Sequence, residues 1–255
     1  MATIEYTTEG HVATITINRP EARNAVNGEV AGGIEEAIDR LEADDSLWIG
    51  ILTGVPPVFS AGADLKAINA GQAADLNTKR GGFAGITARD RSKPIIAAVD
   101  GPALAGGTEI ALACDLIVAS TTARFGIPEV KRCLVAAGGG LFRLPRKIPF
   151  NVAMELALTG DPIDATRAHH FGLVNQLVDP GQALEAAGEL ARRIEANAPV
   201  AVRESRRVIL ASMTEDEATG WRLSNEGFAK AMRSADNKEG LMAFIEKRPP
   251  VWTGK

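Results

Sequence analysis

The sequence predicts an α/β fold followed by a helical C-terminal region. In the first half of the 255-residue chain, short apolar runs rich in β-branched residues each lead into a glycine-containing turn and a helical pattern. After about Gly138 the patterns become almost entirely helical. Alternation of buried strands with helices is typical of strands paired through helical crossovers.

The first elements are a hairpin and a helix. Ile4 to Thr7 and Val12 to Ile17 flank Glu9-Gly10, and apolar and polar side chains alternate along the second run, as in a hairpin. A helix is predicted from about Asn27 to Glu42, because Asn27 is a good N-cap and apolar residues follow at helical spacing. Buried strands are then predicted at Trp48 to Thr53, Ile95 to Val99 and Leu116 to Ala119.

The second half is predicted to contain one strand among helices. Asp161-Pro162 precedes a short helix that ends near His170, with Gly172 in the position after the C-cap. A strand is predicted at Leu173 to Val178. The remaining patterns are amphipathic helices at Ala183 to Ala196, Pro199 to Ala211, Glu215 to Met232 and Lys238 to Lys247.

The helical tail carries more apolar surface than about sixty residues can easily bury alone, with Trp221, Phe228, Phe244 and Trp252 among its side chains. We therefore expect a core over residues 1–197 and a C-terminal helical region over residues 198–255. The second region is expected to pack against another subunit.

Composition is that of an ordinary globular protein. Hydrophobic residues make up 45% and charged residues 24% of the chain, which is long enough to need no metal or disulfide for stability. No apolar run approaches the ~18 residues of a membrane helix, and the N-terminus lacks the pattern of a secretory signal. We expect a cytoplasmic location and no membrane partner. The net charge of −4 disfavours a nucleic-acid partner.

Common cofactor and nucleophile motifs do not occur in the sequence, which contains no G-x-S-x-G, phosphate-loop, G-x-G-x-x-G or H-E-x-x-H pattern. Cys114 and Cys133 have no metal-ligand spacing and are expected to be reduced and structural. His11, His169 and His170 do not form a metal set, and the last two fit the polar end of a helix. No metal, nicotinamide or flavin is predicted.

Glu109 is the most unusual residue of the chain, because it follows Gly106-Gly107-Thr108 and opens the apolar run Ile110 to Cys114. A carboxylate in such a place is costly to bury, so Glu109 is a candidate functional group. A second acid, Glu129, lies twenty residues later, after Pro128. Taken alone, Glu129 also fits an acid in the first turn of a helix.

Two glycine-containing turns provide candidate anion-binding groups. In Ser60 to Leu65 and in Ala105 to Glu109 a strand gives way to a helix, which leaves backbone N–H groups without intrahelical partners. Each turn alone is also compatible with an ordinary strand–helix connection. Brought together, the two turns would form an oxyanion hole beside two carboxylates, the groups needed for acid–base chemistry at a carbonyl.

These motifs together resemble the enoyl-CoA hydratase (crotonase) family, through Phe59 to Leu65, Ala103 to Glu109 with Cys114-Asp115, and Phe125 to Glu129. The resemblance covers nearly the whole chain. It implies a crotonase-like spiral of ββα units and a C-terminal helical region that forms trimers, commonly paired into hexamers. Further matching segments are Arg19 to Ala25, Leu158 to Gly160 with Ala168, Gly172 to Val174, and Phe244 to Arg248.

The resemblance also implies an activity, the reversible addition of water to a 2-trans-enoyl-CoA in fatty acid β-oxidation or related acyl-CoA metabolism. Coenzyme A would be part of the substrate, and no other cofactor is implied. The backbone N–H groups of Ala63 and Gly106 would bind the thioester oxygen. Glu109 would orient the water and help to take its proton, while Glu129 would exchange a proton with C2.

Coenzyme A would bind along the first half of the chain, with Arg23 near its phosphates. Phe244 and Lys247 would approach the nucleotide end from a neighbouring subunit, although Lys247 also fits a cation in the last turn of a helix. The segment from Gln72 to Arg91 would border the acyl pocket. The residues implied along the coenzyme are Ala22, Arg23, Ala61, Asp64, Leu65 and Lys66.

One departure from the family pattern leaves alternatives open. Many hydratases of the family carry Pro-Gly where this chain has Ala136-Ala137, a change that could alter how the water is held. An enoyl-CoA isomerase, which would need Glu129 but not Glu109, or a specialised acyl-CoA dehydratase is the alternative among enzymes. The alternatives that are not enzymes are a catalytically silent acyl-CoA-binding protein and an RNA-binding protein. The presence of both acids disfavours the silent protein, and the negative net charge disfavours RNA binding.

Overall fold

The structure, a computed structural model, describes residues 2–255. Strands and helices alternate up to residue 126 and helices dominate after residue 140. The strands are β1 (Ile4–Glu9), β2 (Val12–Ile17), β3 (Ile49–Gly54), β4 (Asn77–Thr78), β5 (Gly82–Phe83), β6 (Ile95–Val99), β7 (Ala103–Leu104), β8 (Leu116–Ser120), β9 (Arg124–Gly126), β10 (Ile163–Asp164) and β11 (Gln176–Val178). The helices are α1 (Gly28–Ala43), α2 (Leu65–Asn69), α3 (Gly106–Ala113), α4 (Gly140–Lys147), α5 (Phe150–Thr159), α6 (Ala165–His170), α7 (Ala183–Glu195), α8 (Pro199–Ala211), α9 (Glu217–Arg233) and α10 (Ala235–Glu246).

The main sheet contains six strands in the order β1-β2-β3-β6-β8-β11. Only the β1–β2 hairpin is antiparallel, and the other four pairings are parallel. Strands β3 and β6 are buried along their whole length, because helices cover the faces of the sheet. The predicted hairpin and the three predicted buried strands are therefore confirmed, with ends that differ by one or two residues.

Helix α1 begins as the sequence predicts. The Asn27 side chain accepts a hydrogen bond from the Val30 N–H at 3.0 Å and so caps the first turn. Three side chains at helical spacing, Ile34, Ile38 and Leu41, are 0% exposed. Each buried aliphatic side chain of this kind contributes about 1.5–3 kcal/mol, so packing fixes the helix on the sheet despite its two glycines.

A small second sheet, in the order β10-β9-β7, positions the two predicted acids. Strands β7 and β9 are parallel, with Leu104 opposite Gly126. The chain leaves β7 into α3, which carries Glu109, and leaves β9 into a 3-10 helix, Pro128–Arg132, which carries Glu129. Since parallel strands end at the same edge of a sheet, the two acids emerge side by side.

Thr108 ties this sheet to α3, and its replacement should lower stability. Its hydroxyl lies 2.7 Å from the Ala103 carbonyl and 2.8 Å from the Gly126 carbonyl, and it accepts from the Gly126 N–H at 3.0 Å. Thr108→Val keeps the shape but leaves buried groups unpaired, so we expect a loss of about 1–3 kcal/mol in the free energy of unfolding, measured by urea denaturation. Thr121→Val, at an exposed hydroxyl, is the control; equal stability of the two variants would contradict this role.

The C-terminal helices are largely as predicted. Helix α7 packs on β3, β6 and β8, and α8 pairs with α9. The expected division between residues 197 and 198 falls in the connection between α7 and α8, and it stays a prediction. Large apolar side chains remain exposed in the single chain, among them Trp221 (65%), Phe228 (69%) and Phe244 (85%).

Some boundaries in the second half were predicted wrongly. Only Gln176–Val178 forms the last strand, because Gly172 adopts φ +80° and the Leu173 N–H bonds back to Ala168 in a helix C-terminal turn. Helix α10 begins at Ala235 rather than at Lys238. The short strand β10 was not predicted, since two residues are too few to produce a pattern. No helix within residues 2–255 combines the length and apolarity that crossing a membrane requires.

The cysteines and histidines agree in part with prediction. Both thiols are free, and burial raises the pKa of Cys114 to about 12, as expected for a structural cysteine. Cys133 is exposed, so a structural role in a core is excluded for it. His169 and His170 lie in the last turn of α6, which confirms that they form the polar end of a helix.

Candidate active site

The two predicted glycine turns meet in the structure. Ser60 pairs with Ala103 in an isolated bridge, and the Leu104 N–H donates to the Ser60 carbonyl at 3.0 Å. Gly62 has φ +86°, and a Cβ atom on it would lie 2.6 Å from the Gly106 nitrogen. Glycine is therefore required at position 62 both by its backbone conformation and by the approach of the second turn.

The meeting turns present two unused backbone donors. Within residues 2–255, neither the Ala63 nor the Gly106 N–H donates a hydrogen bond to the protein. Ala63 precedes Asp64, the N-cap of α2, and Gly106 is the first residue of α3, where N–H groups have no intrahelical acceptor. Two adjacent free N–H groups are able to bind one oxyanion.

Phe83 packs on Gly106, the residue that carries one of these donors. A Cβ atom on Gly106 would lie 2.4 Å from the Phe83 ring, so the ring packs directly on this glycine. Phe83 belongs to β5, within the segment Gln72 to Arg91 that was expected to border an acyl pocket. Sequence reasoning attached no specific residue of that segment to the site.

Glu109 is buried beside these donors, with 4% of its surface exposed. Its Oε1 accepts a hydrogen bond from the Gly140 N–H at 2.9 Å, and a Cβ atom on Gly138 would lie 2.6 Å from its Oε2. Burial raises the pKa of Glu109, against the opposing effect of the Gly140 and Gly138 N–H groups and the Arg143 charge. Glu109 is thus a buried and hydrogen-bonded carboxyl group, as the apolar run predicted.

Glu129 is half-buried, and its buried Oε2 has no hydrogen-bond partner within the described chain. Burial raises the pKa of Glu129, and the neighbouring charge of Glu109 raises this pKa further. The two carboxyl groups are therefore close enough to interact. Glu129 does lie in the first turn of a short helix, but an unpartnered buried oxygen is costly unless a ligand or water uses it.

The raised pKa of Glu109 predicts a pH-dependent effect of Glu109→Gln on stability. Between the ordinary pKa of the carboxyl and its raised folded value, the folded state binds more protons than the unfolded state, so stability falls as pH rises through this window. Glutamine removes this loss. We expect the melting temperature of Glu109→Gln relative to wild type to increase as the pH rises above the ordinary carboxyl pKa of about 4.3. A difference that is constant with pH, or that Glu185→Gln on the surface of α7 reproduces, would contradict the assignment.

The loop that differs from the family pattern still contacts the first acid. Ala136 is buried and packs near Gly140, and Ala137 is exposed. Gly138 and Gly140 both contact the Glu109 carboxylate. The glycines that follow Ala136-Ala137 are therefore in contact with the acid.

An apolar cavity of about 390 Å³ adjoins Glu129. Glu129 is the only ionisable side chain in its lining, which comes from the 3-10 helix, the following loop, α4 and α5. Sequence reasoning overlooked this cavity, although the apolar side chains of α4 and α5 were the available signal. Its larger lining residues are Ile127, Leu141, Leu144, Phe150, Met154 and Leu158.

The residues predicted to bind coenzyme A in the first half of the chain lie on two adjacent segments. The Ala61 N–H donates to the Arg23 carbonyl at 3.0 Å, and the Asp64 N–H donates to the Val26 carbonyl at 2.9 Å. This brings Ala22 and Arg23 beside the turn that runs from Ala61 to Lys66. Arg23, Leu65 and Lys66 are exposed, whereas Ala22 and Ala61 are half-buried.

Asp64 has a structural task that the sequence did not reveal. Its carboxylate accepts from the Lys66 N–H at 2.9 Å and pairs with Arg19 Nη1 at 2.6 Å. Burial acts to raise the pKa of Asp64, but the Arg19 hydrogen bond and the capping N–H groups outweigh it and lower this pKa. A direct role of Asp64 in coenzyme binding stays a prediction.

Phe244 and Lys247 lie apart from these segments, at the end of α10. No hydrogen bond or ion pair within residues 2–255 connects α10 with residues 22–23 or 61–66. Phe244 is highly exposed, and Lys247 is the C-cap residue with φ +55°. A contribution of Phe244 and Lys247 from a neighbouring subunit stays a prediction.

The described residues contain no group of three or more His, Cys, Asp or Glu side chains that could hold a metal ion. Glu109 and Glu129 lie near each other and near the free N–H groups of Ala63 and Gly106. This set is able to bind a carbonyl oxygen and to move protons at adjacent atoms.

Comparisons with known proteins agree with this geometry. The profile of a family described as enoyl-CoA hydratase/isomerase matches residues 7–255. A carnitinyl-CoA dehydratase of Salmonella typhi is 38% identical over 258 residues, which cover 99% of this chain and 98% of that protein. The crystal structure of an enoyl-CoA hydratase from Mycobacterium tuberculosis H37Rv matches with a TM-score of 0.96 and 49% identity, over 100% of both chains.

A crystal structure of a carnitinyl-CoA hydratase from Mycobacterium avium also matches over 100% of both chains, with a TM-score of 0.80 and 44% identity. The crotonase-like fold expected from the sequence motifs is thereby confirmed over the whole chain. The chain belongs to the enoyl-CoA hydratase/isomerase family.

Proposed function

We propose that the protein is a hydro-lyase that adds water reversibly to a 2-trans-enoyl-CoA. The observation that carries this proposal is the meeting of two unused N–H groups, at Ala63 and Gly106, with two partly desolvated carboxyl groups, Glu109 and Glu129. Similarity to enoyl-CoA hydratases and to carnitinyl-CoA dehydratases supports it.

The N–H groups of Ala63 and Gly106 would bind the thioester oxygen, on which negative charge develops when a nucleophile adds at C3. A water molecule between the acids would give a proton to the Glu109 carboxylate as its oxygen forms the bond to C3. The resulting enolate would take a proton at C2 from Glu129. Each N–H donor typically contributes about 10²–10³ in rate and each acid–base group about 10²–10⁴.

The proposed roles require a particular protonation state of each acid. Glu109 must begin ionised and Glu129 protonated, and two interacting carboxyl groups favour a state in which they share one proton. Burial raises the pKa of both groups, and the charge of Glu109 raises the pKa of Glu129 further. The Gly140 N–H and the Arg143 charge favour the ionised form of Glu109.

Coenzyme A would bind as part of the substrate, with no further cofactor, along Ala22, Ala61, Asp64 and Leu65. Arg23 would lie near its phosphates, and the exposed Lys66 is a second candidate cation. These placements follow the family motif, and the adjacency of the two segments supports them.

We further propose that the chain forms a homotrimer or hexamer through residues 198–255. Exposed aromatic side chains on α9 and α10 support this assembly, since such patches mark interaction surfaces. Phe244 and Lys247 would then complete the nucleotide site of a neighbouring subunit. A cytoplasmic location, outside membranes and without nucleic acid, stays part of the proposal.

The alternative reaction is the dehydration of a specialised acyl-CoA, which the similarity to carnitinyl-CoA dehydratases favours. The cavity beside Glu129 favours an uncharged acyl group instead. It contains one aromatic side chain, Phe150, and no second carboxylate, whereas proteins usually bind a quaternary ammonium group in an aromatic cage.

A substrate panel distinguishes these possibilities. We expect kcat/KM to be higher for crotonyl-CoA and longer 2-enoyl-CoA thioesters than for carnitinyl-CoA. The reverse order would establish the specialised dehydratase, and conversion of 3-enoyl-CoA alone would establish an isomerase. Calorimetric binding of these thioesters without any turnover would establish a non-catalytic acyl-CoA-binding protein.

A further inference from the structure

Arg143 bridges two segments that are far apart in the sequence. It lies in α4, where its Nη1 donates to the Gly138 carbonyl at 3.2 Å and its Nη2 donates to the Thr87 carbonyl at 2.6 Å. A planar guanidinium is suited to such a bridge, because its donors have fixed and divergent directions. The roles proposed above use only the positive charge of Arg143, near Glu109, and leave these two hydrogen bonds unexplained.

One end of the bridge is the loop that contacts Glu109. The Gly140 N–H donates to the Glu109 carboxylate at 2.9 Å, and Gly138 lies against the other carboxylate oxygen. A Cβ atom on Gly139 would lie 2.1 Å from Arg143 Nη1, so the guanidinium rests directly on this loop. The loop thus contacts the Glu109 carboxylate through Gly138 and Gly140. It contacts Arg143 through Gly138 and Gly139.

The other end of the bridge is the segment whose Phe83 ring packs on Gly106. Thr87 is buried, and its N–H donates to the Phe83 carbonyl at 3.2 Å. Arg143 therefore connects the loop that contacts Glu109 with the segment that packs on Gly106.

We propose that Arg143 is a positioning residue, which holds the Gly138–Gly140 loop, and with it the N–H bound to Glu109, in place relative to the segment that packs on Gly106. This role rests on the proposed hydratase function. It requires the guanidinium and not only a positive charge, because a lysine ammonium is a compact charge without the planar pair of donors.

Three variants test the role by steady-state kinetics and by hydrogen–deuterium exchange of the segment 134–141. We expect Arg143→Met to lower kcat about 10²-fold, since misplacement of a catalytic group by about 1 Å has this effect. KM should stay within about threefold, because the loop acts in the chemical step. Arg143→Lys should lower kcat about tenfold, since it keeps the charge and loses the bridge.

The exchange readout is independent of turnover. Both Arg143 variants should exchange roughly tenfold faster than wild type in segment 134–141, because local opening becomes easier when the loop loses its support. Arg146→Met is the matched control, since Arg146 lies on the same helix, is exposed, and its side chain makes no hydrogen bond within residues 2–255 and only a distant contact, 5.8 Å from the Phe142 ring centroid. It should change neither kcat nor exchange.

Wild-type exchange in both Arg143 variants would overturn the proposal, as would faster exchange with unchanged kcat. If Arg143→Met does not fold, Arg143→Lys decides by the same two readouts. If the wild type hydrates no enoyl-CoA, the proposed function fails, and the exchange measurement alone still decides whether Arg143 holds the loop.

Discussion

Replacement of Glu109 or Glu129 by glutamine is expected to lower kcat for the hydration of crotonyl-CoA by about 10²–10⁴-fold in each case. Glutamine keeps the size of each side chain but neither accepts the proton of water nor gives one to C2. KM should change little, because both acids act on the reacting atoms and not on the coenzyme. The double variant should be only slightly slower than either single variant, since the two acids act as a unit.

The same variants separate hydration from isomerisation. Glu185→Gln, at an exposed acid of α7, is the control for a change of net charge and should keep wild-type kcat. If Glu129→Gln abolishes turnover and Glu109→Gln has no effect, the protein is an isomerase and the assignment of Glu109 is wrong. A wild-type kcat in both single variants would remove both acids from the chemistry.

Gly62→Ala is expected to lower kcat by about 10²–10³-fold, the effect of losing one oxyanion donor. The added methyl group would lie 2.6 Å from the Gly106 nitrogen and 3.0 Å from the Leu104 carbonyl oxygen. The two turns must therefore separate, or the methyl group blocks the Gly106 N–H. KM should rise less than kcat falls, because the donor binds the charge that develops in the transition state more strongly than the substrate oxygen.

Gly71→Ala is a matched control for the backbone effect. Gly71 has φ +82°, nearly the same as the φ +86° of Gly62, but a Cβ atom on it meets nothing within 4 Å. Both variants carry the conformational strain of alanine at positive φ, which costs about 1 kcal/mol. Only Gly62→Ala touches the second turn, so equal kcat in the two variants would refute the pairing of Ala63 with Gly106 as donors.

The burial of Glu109 could be predicted because its signal is local. The apolar residues that directly follow it are expected to be buried, and they bury the adjacent acid with them. The first residues of α1 and α8 were predictable for the same reason, since an N-cap residue marks the start of α1 and a proline marks the start of α8. Local patterns did not show that the turns at Ser60 to Leu65 and Ala105 to Glu109 lie together. The resemblance to the family implied it.

The role of Glu129 depends on contacts that no local pattern contains. It lies beside Glu109 because β7 and β9 pair in parallel, and strands of two or three residues leave too short a pattern to predict. The Arg19–Asp64 pair and the Arg143 bridge are missing from the sequence reasoning for a similar reason, because their partners are 45 and 56 residues apart. The apolar cavity is formed only when α4 and α5 fold back on the 3-10 helix that carries Glu129.

The most direct test of the central claim is the reaction of crotonyl-CoA in water enriched in ¹⁸O, followed by mass spectrometry of the thioester product. The proposed function predicts that wild-type protein incorporates one ¹⁸O atom at C3 while the enoyl absorbance disappears, and that the Glu109→Gln/Glu129→Gln double variant does so far more slowly. Incorporation by wild type that is no faster than by the double variant, over several chain lengths of 2-enoyl-CoA, would contradict hydration by this site.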